Sequence, residues 1–150
     1  MMKTVITNEK DERFLRLVEE LDREYYINVG EKLDRFHQYN DFKTPHVVIL
    51  LLNTDEAIAC ASYRVYSKNT VEFKRVYVKK EYRQQKIAYT LIKELEKKVI
   101  RNGFRYSYII TGKMNTAAVN LYKKLNYTPV DNFGQFKDDD IVICMKKTFK

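Results

Sequence analysis

The sequence predicts a mixed α/β sheet with helices on its faces. Three observations carry this prediction: an amphipathic helical pattern near the start, three apolar strand-like segments separated by short turns, and then alternating strand and helix patterns before a final pair of strands. The 150 residues fit a single domain, residues 1–150, with no low-complexity linker or internal repeat. Apolar residues make up 45% of the chain, which is enough for one packed core.

Two helices are predicted before the first strand. Apolar residues recur at helical spacing behind Asn8, a residue type that caps helices, and they predict an amphipathic helix over residues 9–25. Its apolar positions are Phe14, Leu17, Val18, Leu21 and Tyr25. A second, weaker helical pattern covers residues 29–36 and ends before Pro45.

The apolar period then changes to that of β-strands. The β-branched run over residues 47–52, the small and apolar residues 57–66 and the alternating residues 71–78 predict three strands. Turn-forming residues separate them at 53–55 and 67–70, and connections this short join strands that run antiparallel. We therefore predict an antiparallel meander.

A βαβα segment is predicted after the meander. Its elements are a helix from residue 87 to Asn102–Gly103, a strand over 106–111, a helix from near Asn115, and a terminal hairpin of strands over 127–130 and 141–146. Because a crossover helix precedes it, the strand over 106–111 is expected to lie parallel to its predecessor.

Charge and apolar patterning restrict the classes of function. The chain has 28 Lys and Arg against 20 Asp and Glu, and the net charge of +8 suits RNA, a membrane surface or a phosphorylated cofactor without selecting among them. The apolar runs fall short of the roughly 20 residues that span a bilayer, and Met1–Thr4 lead into polar residues. We expect a cytoplasmic protein that is not embedded in a membrane.

The cysteines and histidines predict neither a catalytic thiol nor a metal site. Cys60 and Cys144 lie among small or apolar residues of predicted strands, which favours buried, unpaired thiols over a disulfide or a nucleophile. His37 and His46 are nine residues apart with no cysteine nearby, a spacing that fits no zinc site. We expect no metal.

Basic residues gather where a helix is predicted to begin. Four of them, Lys79, Lys80, Arg83 and Lys86, precede the helix at Ile87. The unpaired N–H groups and the dipole of a helix N-terminus attract anions, so one phosphorylated ligand is one interpretation of this loop. Solvated surface charges are the other interpretation, and charge alone leaves both open.

Two sequence motifs resemble those of a known superfamily. Residues 71–88, VEFKRVYVKKEYRQQKIA, resemble the acetyl-CoA-binding motif of the GNAT N-acetyltransferases. Residues 115–127, NTAAVNLYKKLNY, are similar to the second signature of that superfamily, N-x-x-A-x-x-L-Y-x-x-x-G-[FY]. The motifs occur in the family's order, and the resemblance covers residues 47–147.

The resemblance implies the GNAT fold, with acetyl-CoA as cosubstrate. The pantetheine arm would pair with the backbone of the third strand of the meander, and the pyrophosphate would lie in the loop before the helix. The implied cofactor-binding residues are Val76, Tyr77, Val78, Arg83, Gln84, Gln85, Lys86, Ile87, Ala88 and Asn115. The resemblance also assigns to Tyr122 the protonation of the departing CoA thiolate.

The loop departs from the family's R-G-x-G-x-[GA] pattern. Gln84 and Lys86 stand where the family has glycines, which reach positive φ and let a phosphate approach the backbone closely. Lys86 offers a cation in exchange, and Ala88 keeps the small residue at the start of the helix. Asn126 replaces the glycine of the second signature, and asparagine tolerates the left-handed conformation better than most residues.

Glu72 and Tyr122 are the candidate catalytic residues. Glu72 precedes Arg83 by eleven residues, the spacing of a catalytic glutamate in several family members, and its carboxylate could take the proton of an ammonium group. An exposed strand-edge glutamate paired with a neighbouring cation is the alternative. Tyr122 lies on the apolar stripe of its helix, so it faces inward, either as the proton donor or as a core tyrosine. The candidate oxyanion donor is the Val78 N–H.

The sequence does not identify the acceptor. Acidic residues of the first two helices and of Asp138–Asp140 could steer a cationic amine or could be an ordinary solvated surface. The acidic residues of the two helices are Glu19, Glu20, Asp22, Glu24 and Asp34. The stretch 131–136 could place aromatic rings beside the acceptor.

The favoured function is transfer of the acetyl group of acetyl-CoA to a primary amine of a small molecule, an amino acid or a peptide N-terminus, by direct attack in a ternary complex. One alternative is a basic RNA- or ribosome-binding module, which is disfavoured because it gives no reason for the order of strand, basic loop and inward-facing tyrosine. The other is a catalytically inert relative that binds CoA. A homodimer is left open.

Overall fold

The structure is a computed structural model that describes residues 1–29 and 44–149, with three α-helices and seven β-strands in those ranges. The helices are α1 (Glu12–Val29), α2 (Ile87–Arg101) and α3 (Thr116–Lys124). The strands are β1 (Met2–Asn8), β2 (Val47–Asn53), β3 (Glu56–Ser67), β4 (Thr70–Val78), β5 (Tyr106–Gly112), β6 (Thr128–Val130) and β7 (Val142–Thr148).

The seven strands form one mixed sheet in the order β1-β2-β3-β4-β5-β7-β6. β4 and β5 run parallel, as the crossover through α2 predicts, and β7 pairs antiparallel with both β5 and β6. The predicted fold class, a mixed sheet with helices, is confirmed. The predicted second helix, residues 29–36, falls almost wholly outside the described residues.

Strand β1 was not expected from the sequence. It pairs antiparallel with β2 over its whole length, from Met2 opposite Asn53 to Asn8 opposite Val47. All seven of its residues are exposed or only partly buried, so no alternation of buried apolar and exposed polar residues marks it as a strand. It forms a strand because it pairs with the strongly apolar β2.

By the density of internal contacts, the chain divides into two compact units. The first comprises Met1–Arg64 with Lys74–Leu95, and the second comprises Val65–Phe73 with Glu96–Lys150. In the first unit, α1 buries one stripe in a core shared with β2, β3 and β4. That core contains Phe14, Leu17, Val18, Val48, Leu50, Leu52, Cys60 and Tyr77. That residues 1–150 act as one domain stays a prediction.

The second unit has apolar and charged groups in its interior. Its buried apolar side chains include Val71, Phe73, Val99, Ile109, Leu125, Tyr127, Val142 and Met145. Glu96 of α2 is buried among them, and Lys147 of β7 donates to both of its carboxylate oxygens at 2.9 and 3.1 Å. A charge pair this deep is stable only when further hydrogen bonds satisfy it.

Two local predictions are confirmed. Cys60 and Cys144 are both buried, unpaired thiols, and burial raises the pKa of Cys60 to about 12, so that thiol stays protonated. Gly103 follows the end of α2 with φ +88°, and the Phe104 N–H donates to Val99 O at 3.2 Å.

The cap of α1 is Asp11 and not Asn8. Asn8 ends β1, and its side chain closes a turn by accepting from the Lys10 N–H at 2.9 Å. Asp11 precedes the helix and accepts from the Arg13 N–H at 2.9 Å, while its carbonyl accepts from the Leu15 N–H. The prediction failed because both residues are cap formers and the sequence did not show that a strand occupies residues 2–8.

The cap also makes stability depend on pH. The Arg13 guanidinium holds the pKa of the Asp11 carboxyl well below its usual range, with a further hydrogen bond from Thr7. Because the folded-state pKa is lower than the unfolded value of about 3.9, the stabilisation is present above that value and is lost as the pH falls toward the folded-state pKa.

We therefore predict that Asp11→Ala lowers the free energy of unfolding by about 1–2 kcal/mol at neutral pH. Asn8→Ala, the matched control, should cost less than about 0.5 kcal/mol. The difference between Asp11→Ala and the parent should shrink between about pH 5 and pH 2. Urea denaturation at several pH values measures both; a constant difference down to about pH 2 would show that the carboxylate charge contributes nothing.

Candidate active site

Strand β4 has a left-handed residue, Arg75, near the candidate site. Arg75 has φ +55°, a conformation that costs an L-residue about 1–2 kcal/mol. Two side chains of β3 bind the carbonyls at this point: Ser62 Oγ donates to Lys74 O at 2.6 Å, and Cys60 Sγ donates to the Arg75 carbonyl at 3.3 Å. The buried Arg75 guanidinium donates to Asp22 of α1 at 2.7 Å. These bonds hold α1 and β3 to β4 at Arg75.

Arg75 comes just after the residues of β4 that pair with β5. That parallel pairing covers Thr70–Phe73, and further along β4 the Lys79 N–H donates to a β3 carbonyl at 2.9 Å. Backbone groups of a strand alternate between its two edges. Tyr77 therefore also turns its backbone toward β3, whereas Val76 and Val78 turn theirs toward the opposite edge of β4.

The side chain of Arg83 folds back onto β4 and α1. Its Nε donates to Val78 O at 2.8 Å, and its guanidinium pairs with the Glu24 carboxylate and lies 5.5 Å from the centre of the Tyr77 ring. The Tyr77 hydroxyl donates to the same carboxylate at 3.1 Å, and burial together with Glu24 raises the pKa of Tyr77 to about 12. Arg83 therefore anchors the start of the loop, and Glu24 matches its charge.

The loop before α2 takes the backbone shape that glycines would give it. Gln84 has φ +65° and Lys86 has φ +60°, and both side chains are exposed, as is that of Gln85. The Thr90 N–H donates to Lys86 O at 3.1 Å, so the N–H groups before Thr90 lie at the open end of the helix. Left-handed residues followed by a helix N-terminus form a concave set of amides that suits anions.

Helix α3 positions Asn115 and Tyr122. Asn115 caps the helix by accepting from the Ala118 N–H at 3.1 Å, which confirms the predicted start of the helix. Tyr122 is buried, and its ring lies edge-on to the ring of Tyr127 with the centroids 6.3 Å apart. Asn126 has φ +73° at the end of the helix, which confirms the left-handed conformation expected of it.

Glu72 is a buried residue of β4. Only 4% of it is exposed, so the alternative of an exposed strand-edge glutamate is wrong. It stands opposite Tyr108 in the β4–β5 register. Burial raises the pKa of the Cys144 thiol, and the negative charge of Glu72 raises it further, which places that carboxylate close to Cys144.

An aromatic cluster of Tyr66, Tyr108 and Phe133 borders Glu72. The ring of Tyr108 lies 5.3 Å from that of Tyr66 and 4.5 Å from that of Phe133, centroid to centroid. Phe133 belongs to the stretch for which aromatic rings were expected; Tyr66 and Tyr108 were missed, because they come from two strands whose proximity only the sheet order shows. The cluster gives the surroundings of Glu72 an apolar surface with two phenol groups.

The acidic residues of α1 mostly bind basic residues of the same unit. Asp22 binds Arg75, Glu24 binds Arg83, and Glu20 lies 3.5 Å from the Lys79 ammonium, which also lies 3.7 Å from Glu56. Two of the four loop cations are therefore matched within the protein. Asp34 lies outside the described residues, and Asp139 of the later acidic run is buried.

A strand, a basic loop and a helix N-terminus on a mixed seven-stranded sheet define an acyl-CoA N-acyltransferase fold. The chain belongs to the acetyltransferase (GNAT) family, whose model matches residues 14–127. It is an acetyltransferase with acetyl-CoA as the acetyl donor, which confirms the resemblance of its two motifs. No curated protein sequence matches the chain significantly.

Solved structures share this fold. A candidate acyl-CoA N-acyltransferase from Klebsiella pneumoniae superposes with a TM-score of 0.81 at 21% identity, covering 99% of this chain and 97% of its own. PaiA N-acetyltransferase from Thermoplasma acidophilum, in complex with coenzyme A, has a TM-score of 0.70 at 18% identity, covering 97% and 99%. The ribosomal-protein-S18-alanine N-acetyltransferase of Escherichia coli has a TM-score of 0.69 at 16% identity, covering 99% and 94%.

Within residues 1–29 and 44–149, no helix is long and apolar enough to cross a membrane. In the same ranges, no group of three or more His, Cys, Asp or Glu side chains is arranged to hold a metal ion.

The loop geometry predicts that glycine stabilises the protein at positions 84 and 86 and destabilises it at position 85. Gln84→Gly and Lys86→Gly should each raise the free energy of unfolding by up to about 1 kcal/mol, because removing about 1–2 kcal/mol of left-handed strain outweighs about 0.5–1 kcal/mol of added chain entropy. Gln85→Gly, at a residue without positive φ, should lower it by about 0.5–1 kcal/mol. Urea denaturation checks this; the same sign at all three positions would contradict it.

Proposed function

We propose that this acetyltransferase moves the acetyl group of acetyl-CoA to a primary amine of a small molecule, an amino acid or a peptide N-terminus, by direct attack in a ternary complex. The observation that carries the proposal is the left-handed backbone of Gln84 and Lys86 directly before α2. This geometry supports an anion-binding loop at positions where the sequence has no glycine. A loop of solvated charges would have no reason to keep strained residues at those two positions.

The donor would bind along β4 and the loop. The outward-facing N–H and C=O of Val76 and the N–H of Val78 would pair with the pantetheine amides, and the amides of Gln84, Gln85, Lys86, Ile87 and Ala88 would hold the pyrophosphate. The side chains of Arg83 and Tyr77 support this surface from behind, through Glu24. At Asn115, Oδ1 caps α3, which leaves its Nδ2 to contact the donor.

Three protein groups would carry the chemistry. Glu72 takes a proton from the ammonium, directly or through water, so that the neutral amine can attack the thioester carbonyl carbon. The Val78 N–H donates to the carbonyl oxygen as it gains negative charge. When the C–S bond breaks, Tyr122 gives its proton to the departing thiolate, since a phenol is protonated at neutral pH. The attacking nitrogen releases its second proton to solvent, and solvent returns a proton to Tyr122.

The acceptor would bind beside Glu72, against the rings of Tyr66, Tyr108 and Phe133. Aromatic faces attract alkylammonium groups, so these rings suit the alkyl and ammonium parts of an amine. The Escherichia coli neighbour acts on the alanine of a ribosomal protein, which supports a peptide N-terminus as one acceptor class. The acidic residues of α1 support a cationic acceptor less well, because three of them bind basic residues of the protein.

Calorimetric titration followed by an amine panel tests the function. Acetyl-CoA and CoA should bind with micromolar affinity, and thiol release should occur with at least one class of primary amine. The two protein thiols are buried, so a disulfide reagent will report mainly the thiol of CoA. Binding without thiol release for any amine would favour the inert relative; no heat at millimolar ligand, with salt-sensitive RNA binding, would favour the RNA module.

We predict that Glu72→Gln lowers kcat about a hundredfold or more at neutral pH, because the variant must wait for the rare neutral form of the amine. The deficit should shrink as the pH rises toward the pKa of the acceptor amine, where deprotonation needs no base. Glu94→Gln, on the exposed face of α2, is the matched control and should change kcat less than about twofold. Steady-state rates from about pH 6 to 10 measure this, and a deficit that does not vary with pH would exclude the base role.

A further inference from the structure

Tyr127 contacts Tyr122 through both backbone and side chain. Its N–H donates to Tyr122 O at 2.9 Å, across the left-handed Asn126 that ends α3. Its ring meets the ring of Tyr122 edge-on, at an interplanar angle of 62°. A displacement of Tyr127 would therefore move both the end of the helix and the ring of Tyr122.

Tyr127 is in turn held by buried polar groups from α2 and β5. Its hydroxyl bonds to Ser107 Oγ at 2.8 Å and to Glu96 Oε2 at 3.2 Å. Lys147 of β7 binds both oxygens of the same carboxylate, and its ammonium lies 5.7 Å from the centre of the Tyr127 ring. Tyr127, Ser107 and Glu96 are each nearly inaccessible to solvent. Burial and the Glu96 charge raise the pKa of Tyr127 well above its usual value, so it remains a hydrogen-bond donor.

Burying such a network costs free energy, because its charged groups lose their contacts with water. A buried charge pair often stabilises a protein no better than apolar side chains of the same size would. What a fully bonded polar network does provide is one fixed orientation for each member. The ring of Tyr127 links this network to Tyr122, the proposed proton donor.

We propose that Tyr127, oriented by Glu96 and Ser107, is a positioning residue that fixes the ring of Tyr122 for proton transfer to the leaving thiolate. This inference rests on the role proposed for Tyr122. Removing the Tyr127 hydroxyl keeps the ring and the backbone bond but releases the phenyl group from the polar side of the core. Tyr122 would then sample orientations from which its proton does not reach the sulfur.

A double-mutant cycle tests this proposal. Tyr122→Phe should lower kcat at least tenfold with little change in the KM for acetyl-CoA, and Tyr127→Phe should lower kcat about tenfold, again at constant KM. In the Tyr122→Phe background, Tyr127→Phe should change kcat less than about twofold, because no proton remains to be positioned. Tyr106→Phe, the control for loss of a phenol in the same unit, should leave kcat near that of the parent.

The outcomes separate the two proposals. If Tyr122→Phe is impaired and Tyr127→Phe lowers kcat equally in both backgrounds, positioning is wrong while the proton-donor role stands. If Tyr122→Phe keeps full kcat, the donor role fails and the positioning proposal fails with it. Should Tyr127→Phe not fold, Ser107→Ala removes one partner of the same hydroxyl and takes its place in the cycle. A fall in melting temperature with unchanged kcat would show a purely structural network.

Discussion

The left-handed Arg75 is the constraint on which this part of the structure depends. Its φ of +55° falls inside the continuous strand β4, and Ser62 and Cys60 of β3 bind the carbonyls of Lys74 and Arg75. The Arg75–Asp22 ion pair fixes α1 to the strand at the same residue. In the proposed function, the donor pairs with Val76 and Val78, which follow Arg75 in the strand.

The same logic applies to the loop that follows. Gln84 and Lys86 have the same left-handed strain as Arg75. Three such residues within twelve positions of one chain are difficult to explain by packing alone. Arg83 then holds the loop against β4 through Val78 and against α1 through Glu24. The strained residues thus lie in β4 and directly before α2, the two elements to which the proposed function assigns donor binding.

The sequence predicted most of the architecture for identifiable reasons. Apolar period located α1, α2, α3, the meander and β5. It could not locate β1, whose residues are mostly exposed and which is a strand because β2 lies beside it. At the site, the apolar stripe of α3 correctly predicted that Tyr122 faces inward, whereas the sequence left the burial of Glu72 open. Spacing along the chain could not show the left-handed Arg75, the aromatic cluster around Glu72, or the contact of Tyr127 with both Glu96 and Tyr122.

The sheet order has a consequence for how the protein acquires its structure. β7 lies between β5 and β6 although it follows both in the chain. Until Val142–Thr148 has been synthesised, one edge of β5 has no strand beside it and the Glu96 carboxylate has no ammonium from Lys147. A nascent chain therefore carries an unprotected strand edge next to an uncompensated acid, a state that invites pairing with other chains. Insertion of β7 is the step that ends this exposure, and slow insertion would lengthen the time during which chaperones must shield it.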